Sequence, residues 1–248
     1  ISKNTSLVLI KMASKNYKDE LDDVFKKFHK FAKASQHRER EKDRISDATT
    51  KAINKAVSAC SASGEKRQEL LSDSRENADK AADILLKLHH RLVDDYGRFW
   101  RQDLITSQLF AIPEQEIIEA FSLLAVLGQA DIPIRTIRFL MRVPDDYGKT
   151  RASLTVSGES YVFGLLDCVG ELDRIIHDSL KNIQIEFLKR IFKQMEELYV
   201  ELERFREFPN RKDTRIKTKN LANLKHRIDV CGGQVFRCRK LLQESGIL

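Results

Sequence analysis

Apolar residues recur at helical spacing along most of this chain. Tyr17, Leu21, Val24, Phe28 and Phe31 line one face of a helix predicted from Asn16. The pattern thins through a charged run from Gln36 to Arg44, then resumes with Ile45, Ala48, Ala52, Ile53, Ala56 and Val57, as one very long helix or two in line. Ser61 to Gly64, small residues and a glycine, is the stop signal. A second helix is predicted from about Glu65 to Asp95, carrying Leu70, Leu71, Ala78, Ala81, Ala82, Leu85, Leu88 and Leu92. Near its end, His89 and His90 point about 100° apart, so the two cannot chelate one ion as a pair.

Pro113 opens the next helix, because proline is welcome at a first helical position and disruptive inside one. Ile117, Ile118, Phe121, Leu124 and Ala125 face inward from it. Gly128 to Gly158 holds most of the chain's punctuation and reads as a connector loop, with a short helix at Ile134 to Val143. After it, Tyr161, Leu165, Cys168, Leu172, Ile175 and Ile176 mark another amphipathic helix. Two more follow, from Asn182 to Phe208 and from Lys217 to Gln243, the second with Gly232-Gly233 in mid-run. The basic stretch Pro209 to Lys219 between them is either a solvated loop or a phosphate-contacting strip. The predicted architecture is all-α: a single domain over 1–248, a bundle of about six to seven long antiparallel helices, with 1–15 as an irregular arm and 128–158 as the connector.

Composition agrees, with four Pro and ten Gly in 248 residues. A net charge of +7 favours polyanionic partners, although the signs are finely mixed. Cys60, Cys168, Cys231 and Cys238 have neither C-x-x-C spacing nor a dense disulfide pattern, and read as reduced core thiols. No apolar run approaches the roughly 18 to 20 residues that cross a bilayer, so no membrane is expected. The sequence opens on Ile1 rather than Met, which leaves room for a targeting segment ahead of it.

Candidate chemistry sits on two of the predicted helices. Asp167 and Glu171, four apart, stack two carboxylates on one side of a helix, with Gly164 one turn below. A divalent cation or another helix would fit that arrangement equally well. Glu116 and Glu119, three apart, lie at the margin of the preceding apolar face. Tyr96 to Arg101 interleaves aromatic residues with arginines; it suits stacking on bases and neutralising phosphate, or else a helix edge with a buried Trp.

The block Tyr161-Val-Phe-Gly-Leu-Leu-Asp-Cys-Val-Gly-Glu-Leu172, followed by Arg174 and Asp178-Ser179, resembles the D-Y-L-x-G-x-x-D-x-x-G-E-L-x-R…N-S signature of the translin superfamily. Asp167 and Gly170-Glu171 are similar to the translin-associated factor X branch rather than to translin itself. Gln115-Glu116-Ile-Ile-Glu119-Ala120 resembles the same superfamily's Q-E-Y-V-E-A helix, and Phe99, Trp100 and Arg101 its nucleic-acid-binding cluster. The resemblance implies an all-helical subunit that joins translin in a closed octameric shell, in cytoplasm and nucleus, and cleaves single-stranded RNA there. RNA-silencing passenger strands and tRNA-processing fragments are the implied substrates. It further implies Glu116, Glu119 and Asp167 as catalytic residues, these three with Glu171 as ligands of Mg²⁺ or Mn²⁺, and Arg98, Trp100 and Arg101 as nucleic-acid contacts. Such chemistry suits the residue types, since Mg²⁺ takes hard oxygen ligands and keeps waters that can attack phosphate. The alternative is a non-catalytic helical scaffold that binds translin and nucleic acid, with Asp167 and Glu171 spent on salt bridges to residues such as Arg174.

Overall fold

The computed structural model describes residues 39–96, 111–128, 158–180, 185–206 and 218–248. The expected arm, the helix from Asn16, the connector, the basic strip up to Lys217, and the side chains of His89 and His90 lie outside these residues. Among the described residues there are six α-helices and no strand: α1 (residues 39–60), α2 (Gly64–Tyr96), α3 (Ala111–Gly128), α4 (Gly158–Ser179), α5 (Ile185–Glu203) and α6 (Thr218–Glu244). A 3-10 turn, Arg204–Arg206, extends α5. The chain divides into two compact units, Ile1–Asp43 and Arg44–Leu248. Residues 39–43 of the first are helical, with Lys42 paired to Glu39 at 3.0 Å. The second unit holds the helical bundle.

Small residues are buried along both α1 and α2. Ala48, Ala52, Ala56 and Ala59 on α1 and Ala78, Ala81 and Ala82 on α2 are all buried, and methyl side chains let two backbones approach closely. Ser74 exploits that closeness, its Oγ donating to the Ala52 carbonyl at 2.7 Å. The turn between the helices ends at Gly64, whose φ of 56° suits a residue without Cβ.

Helix α3 is apolar nearly all round. Every residue from Ile117 to Leu127 except Glu119 is buried, including Phe121 and Ser122, which places α3 at the centre of the bundle. It begins at Ala111 rather than at Pro113. Proline still fits, because it falls within the first turn, where backbone N–H groups have no helical partner to lose.

Helix α4 makes its most extensive contact with α3, and also packs on α5 and α6. Gly164 sets the distance. A Cβ there would lie 2.6 Å from the Gln115 carbonyl oxygen and 2.6 Å from Ile118 Cβ, so only a residue lacking a side chain allows this crossing. Another helix therefore takes the room that Gly164 leaves.

Along α6, Leu224, Ile228, Cys231, Val235, Cys238 and Leu242 are buried at alternating four- and three-residue steps. The Gly232-Gly233 pair does not break the helix. Gly232 faces the Tyr199 phenol of α5, which a Cβ would meet at 2.6 Å. The C-terminus closes with Gly246 at φ 66°, its N–H donating to Gln243 and that of Ile247 to Leu242, while Ile247 and Leu242 are both buried. All four cysteines are free and buried. Among the described residues no helix is long and apolar enough to cross a membrane.

Gly164→Ala gains helix propensity of about 1 kcal/mol but forces the α3 and α4 backbones apart, a typical overpacking cost of about 1–3 kcal/mol. The expected net result is a lower urea midpoint; an unchanged or raised midpoint would contradict this packing.

Candidate functional site

The α3–α4 crossing that Gly164 permits brings two acidic segments together. Glu116 and Glu119 follow Gln115 and flank Ile118 on α3, the residues that touch Gly164. Asp167 and Glu171 lie one and two turns beyond Gly164 on α4. All four carboxylates are neither fully buried nor fully exposed.

Their electrostatics show that they share one place. Glu119 is pushed up from 4.5 to about 8, first by burial and then by the negative charges of Asp167, Glu171 and Glu116, with Arg227 pulling the other way. Asp167 is also raised, chiefly by burial and further by Glu171, against the opposing pull of the Arg227 guanidinium. The protonation of Glu119 on α3 thus depends on carboxylates about 50 positions away on α4.

Each of three carboxylates has a protein partner. Glu116 is held from α1: Ser46 Oγ lies 3.3 Å from Oε1 and Thr49 Oγ1 lies 3.0 Å from Oε2, both as donors. Asp167 pairs with Arg227 of α6, which also stands over the Phe163 ring at 4.8 Å. Glu171 pairs with Arg174 of its own helix at 2.5 Å. Among the described residues, no three of the four carboxylates bring ligand oxygens within 4.8 Å of one another, and Asp167 and Glu171 each face a guanidinium.

In donor type these residues suit a hard divalent cation. Four carboxylates meet two guanidiniums, and the excess of negative charge adds to burial in penalising the Glu119 anion. All donors are oxygens carried on two rigid helices, the ligand type that Mg²⁺ and Mn²⁺ prefer.

The α3–α4 arrangement thus juxtaposes all four acidic residues singled out in the sequence. Arg98, Trp100 and Arg101 lie outside the described residues. Sequence reasoning missed Ser46, Thr49 and Arg227. Ser46 and Thr49 left a signal, since they put hydroxyls among Ile45, Ala48 and Ala52 on the inner side of α1. Nothing distinguished Arg227 from the other basic residues, because its partner is 60 positions away.

Comparison with known proteins gives a consistent picture. The Translin family model matches residues 32–239. An uncharacterised protein of Methanocaldococcus jannaschii is 29% identical over 150 residues, 54% of this chain. That match spans 60% of the relative's own length. The solved structure of AfC3PO with duplex RNA aligns with TM-score 0.61 and 18% identity, over 92% of this chain and 97% of the other. Apo-NeC3PO aligns with TM-score 0.61 and 17% identity, over 91% and 96%. At these identities, the two structures establish a shared fold.

A raised carboxyl pKa contributes stability that is fully present below the unfolded value near 4.5 and is lost as pH rises through about 8. In EDTA, the thermal midpoint of the protein should therefore fall between about pH 6 and about pH 9 more steeply than that of Glu119→Gln. Parallel curves for the two proteins would show that Glu119 is not held protonated.

Proposed function

This chain belongs to the translin family, and we propose that it is a metal-dependent endoribonuclease subunit of the translin-associated factor X type. In this reading it acts with translin in a hetero-oligomer, of eight subunits by resemblance, and cuts single-stranded RNA. Passenger strands of RNA silencing or tRNA-processing fragments are its substrate class, in cytoplasm and nucleus. The observation that carries the reading is the convergence of Glu116 and Glu119 with Asp167 and Glu171, two motif segments whose charges act on one another.

Glu116, Glu119, Asp167 and Glu171 would hold Mg²⁺, or Mn²⁺ in its place. When bound, the ion supplies Lewis-acid activation of water and neutralises charge on the phosphate oxygens. The chain's own groups do the rest. Ser46 and Thr49 fix the orientation of Glu116. Glu119, whose proton is stabilised by burial and by the neighbouring carboxylates, would release it when the ion binds. Arg227 stands at the same carboxylates and offers guanidinium donors to a phosphate oxygen. Arg98, Trp100 and Arg101 are assigned to the nucleic acid on the resemblance of their sequence. The AfC3PO structure was solved with duplex RNA, so paired RNA belongs in the same assay.

One observation favours the scaffold reading: Asp167 and Glu171 already make ion pairs with Arg227 and Arg174. Labelled single-stranded and duplex RNA, offered to this chain co-purified with translin, separates the two. The nuclease reading expects cleavage in Mg²⁺, none in EDTA, and a loss of at least about 100-fold in Asp167→Asn and Glu116→Gln with the complex intact. Equal cleavage by all three proteins, or none by the intact complex, would leave the scaffold.

A further inference from the structure

The exposed side of the α4–α6 seam carries a second cluster of ligating side chains, unrelated to the four carboxylates. Asp173 and His177 lie one turn apart on α4, and Cys238 reaches them from α6. The Cys238 thiol donates to Asp173 Oδ1 at 3.0 Å, and His177 Nε2 lies 3.5 Å from the same oxygen. All three ligand atoms fall within 4.8 Å of one another. Asp173 follows Glu171 by two residues, a rotation of about 200° around the helix, so the two acidic sets leave α4 on different sides.

We propose that Asp173, His177 and Cys238 form a binding site for a borderline-soft transition-metal ion, such as Zn²⁺, that ties α6 to α4. The spacing suits one ion. Bonds of about 2.0–2.3 Å in a tetrahedral site put neighbouring donors about 3.3–3.8 Å apart. The sulfur–oxygen and nitrogen–oxygen separations of 3.0 and 3.5 Å are already close to that edge. The sulfur–nitrogen edge lies within 4.8 Å, and His177, with 44% of its side chain exposed, has room to adjust it.

Donor chemistry points the same way. Thiolate and imidazole discriminate against Mg²⁺ and Ca²⁺, which prefer oxygen, and in favour of Zn²⁺ or Co²⁺. Arg237 Nη2 stands 3.6 Å from Asp173 Oδ2, so it offsets charge on one carboxylate oxygen and leaves Oδ1 for the ion. Cys238 is fully buried while His177 faces solvent. An ion would thus enter past the histidine, with the fourth position open to water. On binding, the S–H bond gives way to a metal–sulfur bond and the Cys238 proton leaves to solvent. No catalytic triad is implied, because the carboxylate rather than the imidazole contacts the thiol and stabilises its protonated form.

Titration of the EDTA-stripped full chain with Co²⁺ reads out thiolate ligation as a sulfur-to-cobalt charge-transfer absorption. The expected result is one such site per chain, displaced by Zn²⁺ and insensitive to excess Mg²⁺. Cys238→Ser should abolish the absorption, and His177→Ala should weaken Co²⁺ binding by about tenfold or more. His177→Ala changes only an exposed side chain, so it remains decisive even if Cys238→Ser fails to fold. No charge-transfer band in the parent, a band that survives Cys238→Ser, or an unchanged affinity in His177→Ala would overturn the assignment. None of these outcomes depends on RNA cleavage or on the four carboxylates.

Discussion

The crossing of α3 and α4 at Gly164 is the constraint from which the site follows. Two helices whose backbones come this close leave no room for a side chain between them, and the Gln115 carbonyl and Ile118 occupy the place of the missing Cβ. Once that contact is made, the register of both helices is fixed. Glu116 and Glu119 on one helix and Asp167 and Glu171 on the other then stand side by side. Ile117 and Ile118 of α3 and Leu165, Cys168 and Leu172 of α4 are all buried in the apolar core that holds the two helices.

Such an arrangement is electrostatically costly, and the rest of the bundle is arranged to limit the cost. A helix as apolar as α3 would ordinarily lie at the centre of a dry core. Instead it carries three glutamates, Glu114, Glu116 and Glu119, in its N-terminal half, where α1 contributes hydroxyls to Glu116 and α6 sends Arg227 towards Asp167 of α4. Glu119 bears what remains of the penalty and holds its proton up to about pH 8. Protein interiors ordinarily avoid unbalanced charge, and sites of function are where it is retained. The same pairs that stabilise the metal-free fold, Asp167–Arg227 and Glu171–Arg174, are the contacts a cation would have to compete with.

Much of this was legible in the sequence. The 3.6-residue period marked the helices that are described, and the expected stop at Ser61 to Gly64 falls where Gly64 supplies the positive φ that the turn needs. The acidic pairs were legible because i,i+3 and i,i+4 spacing puts each pair on one helical side. Sequence left open whether Gly164 makes room for an ion or a helix, since that depends on a neighbour about 50 residues away; α3 fills it. The cross-bundle partners Ser46, Thr49 and Arg227 were invisible for the same reason. Asp173, His177 and Cys238 also escaped notice: Cys238 is separated from Asp173 by 65 positions and read as core, which it is, while its sulfur still reaches a carboxylate.

The most direct test of the central claim is the anomalous scattering from crystals of this chain grown with Mn²⁺. An ion in contact with oxygens of Glu116, Glu119 and Asp167, with Asp167 drawn away from Arg227, is the predicted result. Crystals that retain the Asp167–Arg227 pair and show no Mn²⁺ between α3 and α4 at saturating concentration would contradict it. The carboxylates would then belong to the architecture of the bundle rather than to a metal centre.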